Sequence, residues 1–120
     1  MLGTVTSDRA DGADGAADPA DTAAEEFEAA VHEAVRRIPP GHVMSYGDVA
    51  EYVGAGGPRQ VGAVMGRSDG ELPWWRVLRA DGSPPPHLAT EALAAHRAEG
   101  TPMRPDGTRV DMRRARWDGH

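Results

Sequence analysis

The sequence predicts a small, mainly α-helical domain built around a helix-turn-helix, and three observations predict it. The chain has 120 residues, the length of about one domain. One long stretch repeats its apolar residues with helical period. Two shorter helical stretches then follow, separated by a glycine-rich turn.

Residues 1–20 are rich in Ala, Asp and Gly, with almost no large apolar side chain. Such a segment cannot bury enough surface to offset its ordering entropy and reads as a disordered acidic tail. Order is expected from 21 onward, where Thr22 and Glu25 have the spacing of a capping box. Phe27, Ala30, Val31, Ala34, Val35 and Ile38 then fall on one helical face, and Pro39, Pro40 and Gly41 stop the helix. Ser45 and Asp48 make a second capping box, opening a short helix to about Val53 that buries Val49 and Tyr52. The turn at 54–58 leads into a third helix over 59–66, with Val61, Val64 and Met65 apolar. Two short helices across such a turn read as helix-turn-helix.

Beyond a loop at 67–72, residues 73–78 form a compact apolar stretch containing Trp74 and Trp75. Read as an extended strand, it sends the two rings to opposite faces, one into the core and one into a site. Pro84, Pro85 and Pro86 make a rigid extended segment. Leu88, Ala92, Leu93 and Ala95 suit a helix ending at Gly100. An edge strand is expected at 108–112, followed by a basic end at 113–117.

Composition narrows the function. Cysteine is absent, which excludes a disulfide scaffold, a thiolate zinc site and a thiol nucleophile. No apolar run approaches the roughly 18–20 residues of a membrane span, and no signal segment opens the chain. A cytoplasmic protein is expected, nucleoid-associated in a bacterial cell. The net charge is −6, yet it lies in the tail: residues 27–120 hold 12 Arg against 12 Asp or Glu. A neutral domain implies modest non-specific affinity for DNA, since few phosphates are neutralised. Every basic residue is Arg. Arg makes bidentate and stacking contacts that Lys does not, although GC-rich coding yields the same bias. His32, His42, His87, His96 and His120 show no metal-ligand spacing, so solvated or capping roles are expected, with no metal and no cofactor.

Three motifs in order, GHVMSYGDVA, PRQVGAVM and PWWRV, resemble the core of O6-alkylguanine-DNA alkyltransferases. More closely, they resemble the non-enzymatic relatives of those enzymes, the alkyltransferase-like proteins. The resemblance implies that 21–117 is a DNA-binding domain with the winged-helix-like fold of the alkyltransferase C-terminal domain. In the enzymes the third motif is PCHRV, and its Cys accepts the alkyl group. Trp74 stands at that position here, as in the PWHRV of many alkyltransferase-like proteins, and an indole cannot replace a thiolate as acceptor. Trp75 departs from both groups, which carry His.

By that resemblance the chain is a sensor, not an enzyme. It would bind double-stranded DNA carrying alkylated guanine, flip the base and hold it for another system such as nucleotide excision repair. It would do so as a monomer. Arg59 would be the finger that fills the space left by the flipped base, its planar guanidinium stacking and donating to the orphan partner. Tyr46 would crowd the adjacent phosphate. Gly62 and Ala63 would let the third helix approach the minor groove. Trp74 would wall the lesion pocket, with Ser68, His87 and Trp75 beside it. His87 occupies the position at which some relatives place an Arg. Ser45, Gln60, Arg67 and Arg76 are further candidates for DNA contact, although Arg76 suits internal bracing of the pocket strand better than a phosphate.

Other classes remain in view. A winged-helix transcription regulator would need base-reading side chains on the third helix, where Val61, Gly62, Ala63 and Val64 offer none. A degenerate protein-binding domain would lean on the acidic tail. An enzyme using other groups would need a carboxylate pair, a Ser–His pair or a phosphate loop, and none is evident.

Overall fold

The computed structural model describes residues 19–68 and 70–120; of the expected tail over 1–20, residues 1–18 lie outside them, while Pro19 and Ala20 belong to the first helix instead of the tail. The domain is mostly helical. In chain order it comprises α1 (Pro19–Arg37), β1 (Met44–Ser45), α2 (Tyr46–Val53), α3 (Pro58–Arg67), a 3-10 turn (Trp74–Arg76), β2 (Val77–Leu78), a second 3-10 turn (Pro86–Leu88), α4 (Ala89–Glu99) and a single helical turn, α5 (Met112–Ala115).

Helix α1 begins earlier than its sequence signal. Pro19 is its first residue, a position where a missing N–H costs nothing and the preset φ helps. Thr22 and Glu25 are therefore exposed residues inside the helix, and their spacing caps nothing. Its apolar face behaves as expected: Val31, Ala34, Val35 and Ile38 are buried against Val49, Val61 and Val64 of the helix-turn-helix.

Helix α2 is capped as the spacing predicts. Ser45 Oγ accepts from the Asp48 amide at 3.0 Å, and Asp48 Oδ2 accepts from the Ser45 amide at 3.0 Å. The buried pair on α2 is Val49 and Ala50, not Val49 and Tyr52. Tyr52 is an exposed ring that meets Trp117 at 5.6 Å between centroids. The turn to α3 is held from below by α1. A Cβ on Gly56, whose φ is +69°, would lie 2.9 Å from the Phe27 ring, so this turn packs closely only with glycine.

Two departures concern the second half. Residues 108–112 form no strand. Val110 makes one antiparallel bridge to Met103 and donates its N–H to the Gly82 carbonyl at 3.0 Å. The backbone then turns at Asp111, whose carbonyl accepts from Arg114 and Ala115. The resulting turn buries Met112 and Ala115 with Val43, Leu78 and Val110 in a second small core. Gly82 makes that core possible: at φ +88° any Cβ would collide with the Val110 carbonyl. The second departure is a parallel pairing, Met44 with Val77 and Ser45 with Leu78. Short as it is, it joins the start of α2 to the end of the tryptophan turn.

The Ser45 cap gives a direct test. Ser45→Ala should lower stability by about 1 kcal/mol, read as a shifted urea midpoint with an unchanged slope.

Candidate nucleic-acid interface

The cavity is assembled from four pieces of chain. Tyr46 is the first residue of α2, placed by the Ser45 cap and the parallel pairing. Trp74 opens the 3-10 turn just before β2. Ser68 ends α3, its Oγ donating to the Met65 carbonyl at 2.9 Å. His87 sits in the turn that leads into α4. All four line one cavity of about 530 Å³, together with Met65, Leu88 and Glu91. Burial pushes the Tyr46 hydroxyl pKa up, and the charge of Arg79 works against that rise. The phenol is thus a neutral donor at physiological pH.

The fifth pocket candidate, Trp75, is placed elsewhere. The chain is not extended here. A 3-10 turn sets the two indoles edge to face, 5.7 Å apart and 85° between planes. Trp75 turns its Nε1–H onto Glu99 Oε2 at 2.8 Å. Arg76 joins the same carboxylate, with Nη2 at 2.6 Å from Oε2 and Nε at 3.2 Å from Oε1. Its Nη1 donates to the Ile38 carbonyl at 2.8 Å, and its guanidinium lies 5.5 Å from the Trp75 ring centroid. Of the two readings open for Arg76, internal bracing is the one its contacts match. Gly41 donates its amide to Glu99 Oε1 at 3.1 Å, completing a ring of donors about one carboxylate.

Burial works to raise the Glu99 pKa. The Arg76, Gly41 and Trp75 donors outweigh it, and the group lies below the ordinary carboxylate range. His96, one turn back on α4, is buried rather than solvated or capping. Its Nδ1 is 3.4 Å from Thr101 Oγ1, and burial lowers its pKa, with Glu99 working against that fall and Arg76 adding to it.

The remaining candidates divide. Arg59, at the second position of α3, is exposed and makes no ion pair among the described residues. The helix dipole disfavours a cation there, so helix stability does not account for it. Ala63 is exposed, and a Cβ built on Gly62 would meet nothing within 4 Å. Both leave the outer surface of α3 open to close approach.

Three others already hold partners within the fold. Ser45 is buried with its hydroxyl spent on the α2 cap. Gln60 Oε1 accepts the Gly57 amide at 3.0 Å at the start of α3. Arg67 Nη2 reaches across to Glu28 Oε1 on α1 at 2.8 Å. In the basic C-terminal run, Arg116 Nε pairs with Asp48 Oδ2 at 2.9 Å.

Glu91, Pro85 and Arg79 escaped sequence reasoning. Pro85 and Glu91 line the cavity, and Arg79 stands close enough to Tyr46 to influence its hydroxyl. None carries a local signal beyond residue type, because only the fold brings 85–91 against 46 and 74.

Residues 26–100 match the model of the 6-O-methylguanine DNA methyltransferase DNA-binding domain. The chain is 36% identical over 102 residues to the DNA base-flipping protein of Escherichia coli K12, covering 78% of this chain and 76% of that one. It is 42% identical over 62 residues to Alkyltransferase-like protein 1 of Schizosaccharomyces pombe, covering 49% of this chain and 57% of that one. The crystal structure of S. pombe Atl1 in complex with damaged DNA containing O6-carboxymethylguanine superposes with a TM-score of 0.68 at 28% identity, over 78% of this chain and 95% of that one.

The Glu99 network predicts an acid limb to stability. The folded pKa of Glu99 lies below its unfolded value. Its contribution is therefore fully present above the unfolded pKa and is lost as pH falls through the folded one. Buried His96, also depressed, acts in the same direction at higher pH. Glu99→Gln should cost about 3 kcal/mol or more at neutral pH, because it strands the Arg76 charge, and should flatten the part of the acid limb below the usual carboxylate range. Urea unfolding at stepped pH reads both effects.

Proposed function

This chain belongs to the alkyltransferase-like proteins of the 6-O-methylguanine DNA methyltransferase DNA-binding family, and on that basis we propose that it binds duplex DNA containing O6-alkylguanine and flips the damaged base into the Trp74 cavity without transferring its alkyl group. The lesion is then held for another repair system such as nucleotide excision repair, which acts on the whole damaged strand segment rather than on the alkyl bond. The observation that carries this reading is the cavity itself. Trp74 and Tyr46 face a space of about 530 Å³ in a chain without cysteine.

Extrahelical capture costs a few kcal/mol of unstacking, and least where the lesion already weakens pairing. Two features offset it. Arg59 inserts from the start of α3 into the vacated stack, donating to the orphan cytosine. Trp74 supplies an aromatic face for the base or its adduct, with stacking worth about 1–3 kcal/mol by alanine substitution. Tyr46, a neutral donor beside them, bonds the phosphate next to the flipped nucleotide, and Arg79 adds charge on that side. In the middle of α3, Gly62, Ala63 and Gly66 are small, so this stretch offers no base-reading donors as a major-groove regulator would and instead seats closely in the minor groove. The protein acts as a monomer, since one cavity and one finger on the same domain complete the site.

No thiolate is present to accept an alkyl group, and the indole nitrogen of Trp74 offers no basic lone pair in its place. Binding therefore leaves both lesion and protein chemically unchanged.

Fluorescence anisotropy with matched duplexes, one carrying O6-methylguanine and one guanine, tests the proposal at fixed salt. The lesion duplex should bind more tightly, and mass spectrometry afterward should find neither component altered. Arg59→Ala should weaken lesion binding about tenfold, and Trp74→Ala by about fivefold to a hundredfold. Equal affinity for the two duplexes, or an Arg59→Ala variant that binds the lesion as well as the parent, would sink the proposal.

A further inference from the structure

The charge lining the cavity is unlike its walls. Tyr46, Met65, Trp74, Pro85 and Leu88 make it largely apolar, and among the described residues no Arg contributes to the lining. Among those described lining residues the one formal charge is the Glu91 carboxylate, in the first turn of α4. Glu91 has no ion-pair partner among the described residues. Arg79, the cation felt at the Tyr46 hydroxyl, is not part of the lining.

The start of α4 and the turn before it form this side of the cavity, through Pro85, His87, Leu88 and Glu91. A bare helix N-terminus presents about half a positive charge and favours anions. Here a full negative charge sits at its third position, and the balance at the cavity wall is negative.

We propose that Glu91 is a specificity-determining residue, biasing the cavity toward neutral O6 adducts and against anionic ones such as carboxyalkyl groups. The inference rests on the lesion-binding function proposed above. A carboxymethyl group brought into the cavity loses part of its hydration and meets an unpaired like charge, without an Arg in the lining to answer it. A methyl or larger alkyl group meets the apolar walls and is indifferent to Glu91. Because the cavity opens to solvent, the repulsion is screened and amounts to a several-fold preference rather than an absolute bar.

The test is a two-by-two titration with the full chain. Duplexes carrying O6-methylguanine and O6-carboxymethylguanine, with a guanine control, are bound by the parent protein and by Glu91→Gln. The parent should bind the methyl lesion about threefold to tenfold more tightly than the carboxymethyl lesion. Glu91→Gln should close most of that gap by strengthening carboxymethyl binding, with methyl affinity changed less than twofold. Raising salt should narrow the gap for the parent and leave the variant almost unaffected.

Glu91 is exposed and its replacement by Gln keeps its shape, so the fold is preserved; a circular dichroism melt verifies this. A ratio that Glu91→Gln does not move, while both lesions still bind better than guanine, overturns the role of Glu91 and leaves the lesion-binding function standing. Neither lesion binding better than guanine removes that function and this inference together.

Discussion

The Glu99 carboxylate is where three separate parts of the chain are tied to one another. It receives the Gly41 amide from the link after α1, the Trp75 indole and the Arg76 guanidinium from the tryptophan turn, and it stands at the last turn of α4. The Arg76 and Glu99 side chains are only 13% and 14% exposed. In such surroundings an ion pair does not add stability simply by existing; removing either partner is what costs, because the other is left charged and unanswered. The cavity depends on this tie. Trp74 belongs to the same turn as Trp75 and Arg76, so the edge-to-face partner of the cavity wall is itself anchored by Glu99.

A second constraint acts from the other side. The Ser45 cap fixes where α2 starts, and the parallel pairing of Met44 and Ser45 with Val77 and Leu78 fixes that start relative to the tryptophan turn. Tyr46 follows Ser45 directly and Trp74 lies three residues before Val77, so the pairing helps place a phenol and an indole on one cavity. The C-terminal segment closes the arrangement. Val43 donates to the Ala115 carbonyl, Trp117 donates to the Val43 carbonyl, and Arg116 pairs with the capping Asp48. Residues far apart in the chain thus converge on four positions near the start of α2.

The Trp74 ring lines the cavity of about 530 Å³. Its neighbour Trp75 uses its single donor to satisfy a buried carboxylate, which a His at that position could also do with a ring N–H. The indole keeps the anchor and adds an aromatic edge against Trp74 and a cation–π contact to Arg76. The cavity wall is accordingly an aromatic surface braced from behind.

Local signals were enough for the helices and for the family. The apolar period of α1, the Ser45 and Asp48 box and the glycine turn before α3 each depend on residues within a few positions, where spacing alone decides geometry. The motif order placed Tyr46, Arg59, Ser68, Trp74 and His87 among the site candidates, and the fold gathers four of these at one cavity. Everything decided at long range was illegible. Whether Trp75 faced the cavity or the core depended on a 3-10 turn and on Glu99, 24 residues away. Arg67 and Ser45 are polar residues whose partners, Glu28 across α1 and the α2 cap, compete with any outside ligand for the same atoms. Val110 carried strand propensity, yet Gly82 accepted its one amide and Asp111 began a helical turn. The sequence by itself determined that the segments of α1 to α4 are helical and which family they compose, because those depend on neighbours in the chain. Only the tertiary structure decided which side chains stay free for a ligand, because that depends on partners the chain brings together by folding.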